Sequence, residues 1–271
     1  MSHTKKIIDF QNFIWHYFAD NKRNFPWRET TDPYRILVSE IMLQQTQTHR
    51  VVPKYENFLR QFPTLETLAG APLADVLTAW QGLGYNRRAI ALQRAAQHVV
   101  EKYGGHLPAT LEDLKSLPGI GPYTAAAILA FAFNIPTPFI ETNIRRVFIH
   151  HFFQAHEGVD DKQLLPVIAK SLDVENPREW YYALMDYGAA LPRTMANPNR
   201  QSKHYARQSA FTGSNRQLRG AIVRLLTKVN KTTVTQAAED LDIYPAKLRE
   251  CASQLAKEGF LILEEQDLYL T

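Results

Sequence analysis

The chain has 271 residues, 45% hydrophobic and 21% charged, with one cysteine, Cys251, and 31 Lys+Arg against 27 Asp+Glu for a net charge of +4. That length and apolar content suffice for two domains with their own cores and exclude a disordered chain. No apolar run nears the roughly 18–20 residues of a membrane span, and a lone cysteine excludes both an intrachain disulfide and an all-cysteine metal cluster.

The opening Met-Ser-His-Thr-Lys-Lys leads straight into an amphipathic segment without a signal-peptide pattern, so a cytoplasmic, nucleoid-associated location is expected. Ile7, Ile8, Phe10, Phe13, Ile14, Tyr17 and Phe18 recur at helical spacing. Asp32-Pro33 reads as an N-cap followed by proline at the first helical position, with the helix running on through Glu40 and Gln44. Further helices are predicted near 51–61, 73–80, 86–103, 111–116, 122–133, 141–153, 161–171 and 177–190. No stretch up to residue 190 alternates like a strand, so this part reads as all-α.

Charge is unevenly placed. Residues 1–190 carry 19 basic and 19 acidic side chains, whereas 191–219 carry six basic ones and no acid. This run suits a phosphate-backbone partner, and it equally suits a solvated linker. Residues 191–215 are rich in Pro, Asn, Gln, Ser and Arg and read as a linker or an extended arm. Beyond it, residues 217–228, 235–241 and 245–257 read as helices, and 260–270 as two short strands about a turn. Three helices and a hairpin form a winged-helix pattern, predicted as a module over 216–271.

Two stretches carry candidate chemistry. In Leu117-Pro118-Gly119-Ile120-Gly121-Pro122-Tyr123-Thr124, the two glycines permit positive φ and close backbone approach, and a helix opening at about Pro122 offers free N–H groups to a phosphate oxygen. A plain helix–helix turn is the alternative. Twenty residues after Gly121, Glu141 stands between an apolar stretch and a helix. It reads either as a carboxylate favouring the helix dipole or as one held where positive charge develops.

These two stretches, with others in the same order along the chain, resemble the helix-hairpin-helix DNA glycosylases and, within them, the MutY branch acting on adenine mispairs. The others are Phe25-Pro26-Trp27-Arg28, Asp32-Pro33-Tyr34, Ser39 through Gln47, Gly82-Leu83-Gly84-Tyr85, Arg87-Arg88-Ala89 and Met185-Asp186-Tyr187-Gly188-Ala189. The resemblance covers roughly residues 10–190. It implies an all-α, two-lobed glycosylase core over 1–190 with its hairpin at about 111–133, a basic linker at 191–215, and the small α+β module at the C-terminus. It further implies a monomeric base-excision-repair enzyme whose partner is double-stranded DNA bearing a mismatched or damaged base.

By the same resemblance, Glu40 matches the acid that protonates the leaving purine, and Glu141 the carboxylate that supports an oxocarbenium-like sugar. Asn143 and Tyr123 match positions that assist that carboxylate. Tyr123 stands where strand-cleaving members have lysine, so no Schiff-base lyase chemistry is expected. Gln44 and Gln45 match the wedge that enters the base stack. Tyr85, Arg87 and Arg88 are expected to face DNA, with plain surface charge the equal alternative for Arg87 or Arg88, and Gly119, Gly121 and Thr124 belong to the phosphate-binding hairpin that the resemblance implies.

The sequence departs from the family in three ways. The family has Asp where this chain has Glu141. One extra methylene moves the carboxylate by about 1 Å, which can cost about a hundredfold in rate, so slower chemistry, a compensating backbone shift or a changed substrate follows. The four-cysteine iron–sulfur cluster common in the branch cannot form, because residues 191–213 hold no cysteine; no cofactor is expected, and Arg193, Arg200, Lys203 and Arg207 stand in its place as candidate backbone contacts. The larger C-terminal domain that reads 8-oxoguanine is also missing. A thymine or uracil mismatch glycosylase, or a catalytically weak DNA-binding or regulatory protein, are the alternative readings. His49, His98, His150, His151, His156 and His204 show no metal-ligand spacing with cysteine.

Overall fold

The structure is a computed structural model describing residues 3–206 and 211–270. In chain order it runs α1 (His3–Asn21), α2 (Pro33–Leu43), α3 (Thr48–Gln61), α4 (Leu65–Ala69), α5 (Leu73–Trp80), α6 (Arg87–Tyr103), α7 (Leu111–Ser116) and α8 (Pro122–Phe133). There follow α9 (Thr142–Phe152), α10 (Asp161–Ser171), α11 (Pro177–Ala190), α12 (Asn215–Val229), β1 (Lys231–Thr233), α13 (Val234–Asp240), α14 (Pro245–Lys257), β2 (Leu261–Glu264) and β3 (Asp267–Leu270). Among the described residues no helix is long and apolar enough to cross a membrane.

Two compact units result. One comprises Met1–Glu40, Ala109–Ser116 and Ile120–Arg207; the other comprises Ile41–Pro108, Leu117–Gly119 and Gln208–Thr271. In the first, α8 is the central helix. Every residue from Thr124 to Ala132 is buried, and Ala125, Ala126 and Ala127 let neighbouring backbones approach closely. Helix α11 lies against α8, α9 and α1. A face-to-face stack of Phe139 on Tyr181, centroids 3.9 Å apart, fixes the chain just before α9. Asp32 caps α2 as its sequence predicts, its Oδ1 accepting from the Tyr34 N–H at 2.9 Å.

The basic segment does not run as an extended arm. Short 3-10 turns form at Leu191–Arg193 and Pro198–Gln201, and the segment is fastened to its own unit. The Asn199 amide donates to the Thr142 carbonyl at 2.9 Å, and Arg146 donates to the Asn197 side-chain oxygen at 3.0 Å. A parallel bridge joins Val159 to Ser202. Asparagine side chains here satisfy backbone groups in the manner of turns, which composition alone reads as looseness.

In the second unit α6 packs on α4 and α5, and α12 on α5. The winged-helix pattern holds, with α12, α13 and α14 followed by an antiparallel β2–β3 hairpin. A third strand, β1, pairs with β3, giving the order β1-β3-β2. The C-terminal segment shares this unit with residues 41–108, and polar ties join the two. Gln81 donates to Thr227 Oγ1 at 2.6 Å, and Glu258 accepts from both Arg87 and Arg219.

Candidate active site

Four of the expected residues meet in the first unit. Glu40, near the end of α2, is only 6% exposed. Among the described residues it has no ion-pair partner; the hydroxyl of Tyr123, on the first turn of α8, donates to its Oε2 at 3.4 Å. Burial is the main cause that raises the Glu40 carboxyl from 4.5 to about 8, and the negative charge of Glu141 raises it further. Around neutral pH Glu40 is therefore largely protonated and able to give up a proton. Tyr123 is pushed well above its ordinary range by burial and by the two carboxylates, so it remains a neutral donor.

Glu141 is the N-cap of α9. Its Oε1 accepts from the Asn143 and Ile144 backbone N–H groups at 2.6 and 2.8 Å, and its Oε2 accepts from the Asn143 side-chain amide at 3.2 Å. The longer glutamate thus makes the cap contacts that a shorter acid ordinarily makes. Burial pushes its carboxyl up, while those N–H groups and the charges of Arg146 and Arg145 oppose the rise. Asn143 is fixed in turn, accepting from Arg146 at 2.9 Å. A buried carboxyl that holds its proton, with a second buried carboxyl whose oxygen accepts from the N-terminus of α9, is an arrangement that suits an acid working with an electrostatic stabiliser.

The support of this site went unread in the sequence. Gly188 of α11 lies so close to α9 that a Cβ on it would stand 2.8 Å from the Asn143 Cβ, inside van der Waals contact, and Arg146 donates to the Gly188 carbonyl. Two residues earlier Asp186, 2% exposed, takes both nitrogens of Arg28 at 2.8 Å and Arg23 Nε at 2.6 Å. That pairing joins the Phe25-Pro26-Trp27-Arg28 stretch to α11, a link no sequence spacing announces.

Other expected residues fall out differently. Gly119 has φ +76°, and a Cβ there would meet the Ala91 Cβ at 2.6 Å. Gly121 does not use the left-handed region that was expected of it: it is the N-cap of α8 with φ −84°, and the space where its Cβ would point is open. Thr124, expected at the phosphate, is 3% exposed in the core of its unit; the helix turns it inward three residues after the cap. Arg88, expected to face DNA, is instead half-buried. It donates to the carbonyls of Ile41, Met42 and Gln44 at 2.6–2.9 Å and to Gly84 at 2.9 Å. These include orphan carbonyls at the end of α2, so a guanidinium there acts as a C-cap.

Gln44 is half-buried, and Gln45 is exposed with φ +54°. Tyr85 is 37% exposed with φ +50°, and Arg87 is exposed beside Glu258. Arg193, Arg200 and Lys203 are exposed, Lys203 pairing with Asp160 at 3.3 Å; Arg207 lies outside the described residues. The donor set does not fit a four-cysteine cluster: the 191–206 segment offers Asn, Gln and Ser where thiolates would be needed, and Cys251 is buried on α14. No group of three metal-ligating side chains occurs among the described residues.

Residues 38–165 match the model of the HhH-GPD superfamily base excision DNA repair proteins. An adenine DNA glycosylase of Mycobacterium tuberculosis is 34% identical over 257 residues, covering 88% of this chain and 84% of the relative. One of Buchnera aphidicola is 34% identical over 186 residues, covering 68% of this chain, which spans 53% of that relative's length. Among solved structures, a thermostable thymine-DNA glycosylase aligns with a TM-score of 0.63 and 28% identity, over 70% of this chain and 88% of that one. The chain belongs to the MutY-like adenine DNA glycosylases of the HhH-GPD superfamily.

Proposed function

We propose that the chain is a base-excision-repair DNA N-glycosylase that removes adenine from A·G or A·8-oxoguanine mispairs in duplex DNA, acting as a monomer, without a metal cofactor and without β-lyase chemistry. The observation that carries this reading is the pair of buried carboxyl groups in different surroundings: Glu40 raised to about 8, Glu141 fixed by the N–H groups at the N-terminus of α9. In the reaction the Glu40 proton passes to N7 of the flipped adenine, and the bond from the sugar C1′ to N9 breaks with its electron pair leaving on the base. Glu141, oriented by Asn143, stabilises the positive charge that develops on the sugar. Water then adds its oxygen to C1′ and releases a proton, leaving an abasic site.

Gln44 and Gln45 fill the space vacated by the flipped base, and the exposed Arg193, Arg200 and Lys203 hold the backbone. Tyr123, a neutral hydroxyl where an amine would be needed, forms no Schiff base. A borohydride-trapped covalent adduct at the level of a bifunctional enzyme would refute this.

The solved thymine-DNA glycosylase favours a second reading, removal of thymine or uracil opposite guanine on the same fold. The adenine reading leads because the adenine-specific relatives match more of the chain at higher identity. Incubating the protein with A·G, A·8-oxoguanine, T·G, U·G and hypoxanthine duplexes, then cleaving abasic sites with alkali, separates the two. Product from the adenine duplexes alone supports the leading reading, and product from T·G or U·G alone replaces it.

A further inference from the structure

Within the second unit the end of α2, the 81–88 turn and the first two to three turns of α12 line a pocket of about 920 Å³ that includes six arginines and, among the described residues, no acidic one. Two of the six, Arg87 and Arg219, share the single carboxylate of Glu258, so they keep net positive charge between them. Arg50 and Arg224 are exposed. Arg216 donates to the Tyr85 hydroxyl at 2.6 Å. Two guanidinium groups, those of Arg88 and Arg216, lie over the Tyr85 ring, 5.5 and 5.6 Å from its centroid. Phe211, 59% exposed, adds a second open ring to the same lining. Clustered arginines with interleaved aromatic rings match a nucleic-acid strand in both charge and shape.

The face that a winged helix ordinarily turns to DNA is unsuited to it here. Helix α14 offers Lys247, Arg249 and Lys257, but Arg249 is directed to the Glu265 carbonyl at 2.7 Å, and Asp240 and Asp242 flank the turn that leads into it. The β2–β3 hairpin carries Glu264, Glu265 and Asp267 at its tip, of which Asp267 pairs with Lys231 at 2.6 Å, so the two glutamates there oppose a phosphate. None of Glu40, Tyr123, Glu141 and Asn143 lines the pocket, whereas Gln44 and Gln45 do.

We propose that the C-terminal module holds the phosphodiester backbone of a DNA strand through the arginine face of α12, Arg216 and Arg224, and not through α14 and its hairpin. This rests on the reading of DNA as the substrate.

The test measures binding of the full chain to an undamaged duplex by fluorescence anisotropy between 50 and 200 mM KCl, a range of about the width over which phosphate contacts are resolved. Replacing two phosphate-binding arginines, R216Q with R224Q, makes the slope of log affinity against log salt shallower by about 1.8. The K247Q/K257Q protein keeps the wild-type slope. Should the double variant lose its cooperative melting transition, the exposed R224Q alone carries the test, with a change of about 0.9. An unchanged slope in the α12 variants, or a shallower slope in the α14 variant instead, overturns the proposal while leaving the glycosylase reading intact. Absence of binding to any duplex overturns both.

Discussion

Replacing Glu40 with glutamine removes a proton donor while keeping the side chain's shape, and it should move activity and stability in opposite directions. An unfolded carboxyl titrates near 4.5, whereas in the folded chain burial and Glu141 hold Glu40 at about 8. Between those values the native chain keeps a proton that the unfolded chain has lost, so unfolding free energy falls as pH rises through the window. Taken alone, that rise corresponds to about 5 kcal/mol, from about 1.4 kcal/mol per pH unit. Because Glu141 titrates against the same charge, part of the change belongs to the pair, and about 2–5 kcal/mol is the expected range. Glu40→Gln should therefore be more stable than the wild type at pH 8.5 by about that range and nearly equal to it at pH 4.5. Its rate of base release should fall by about 10²–10⁴-fold, the contribution of a positioned general acid. Urea unfolding at the two pH values and single-turnover kinetics at neutral pH measure the two effects. Equal stability of the two proteins at pH 8.5 would refute the raised carboxyl, and an undiminished rate would refute its role as proton donor.

Wild-type single-turnover rates should decline as pH rises through about 8, where Glu40 loses its proton; a rate that is flat to pH 9.5 contradicts that assignment. Glu141→Gln should abolish release, and Glu141→Asp should change the rate by up to about a hundredfold, the cost or gain of moving the carboxylate by about 1 Å; single-turnover kinetics read both. Gly188→Ala forces a methyl against Asn143 and should cost about 1–3 kcal/mol by overpacking, with a slower rate at saturating DNA because Glu141 moves with Asn143. Asp186→Ala leaves Arg28 buried without its partner and should destabilise by about 3–5 kcal/mol in urea unfolding.

The order of the helices was legible because their apolar positions recur at 3.6-residue spacing and Pro or Gly punctuates them, as at Asp32-Pro33 and at Gly104 after α6. Helix α4 was not, since its capping box uses Thr67 where a Glu or Gln is the usual signature. Strand β1 is three residues long and acquires its conformation by pairing with β3, a partner more than thirty residues away in the chain. The four residues Glu40, Tyr123, Glu141 and Asn143 could be named from motifs, but their protonation states depend on burial that motifs do not encode. Burial is likewise absent from the motifs that hold Arg88 and Thr124: the Arg88 guanidinium turns to carbonyls at the end of α2, and Thr124 lies in the core of its unit. The 191–206 segment was read as loose because its ties are long-range, Asn199 and Gln201 donating to the Thr142 and Gln154 carbonyls and Asn197 accepting from Arg146, and composition carries no trace of them.

In the proposed reaction Glu40 and Glu141 together release adenine and leave an intact abasic strand. A time course on an end-labelled A·8-oxoguanine duplex, chromatographed for free adenine and run on a denaturing gel with and without alkali, follows both products at once. Free adenine should form at the same rate as alkali-labile sites, with no strand break before alkali. No adenine release, or breaks that form without alkali at the rate of release, would rule this reaction out.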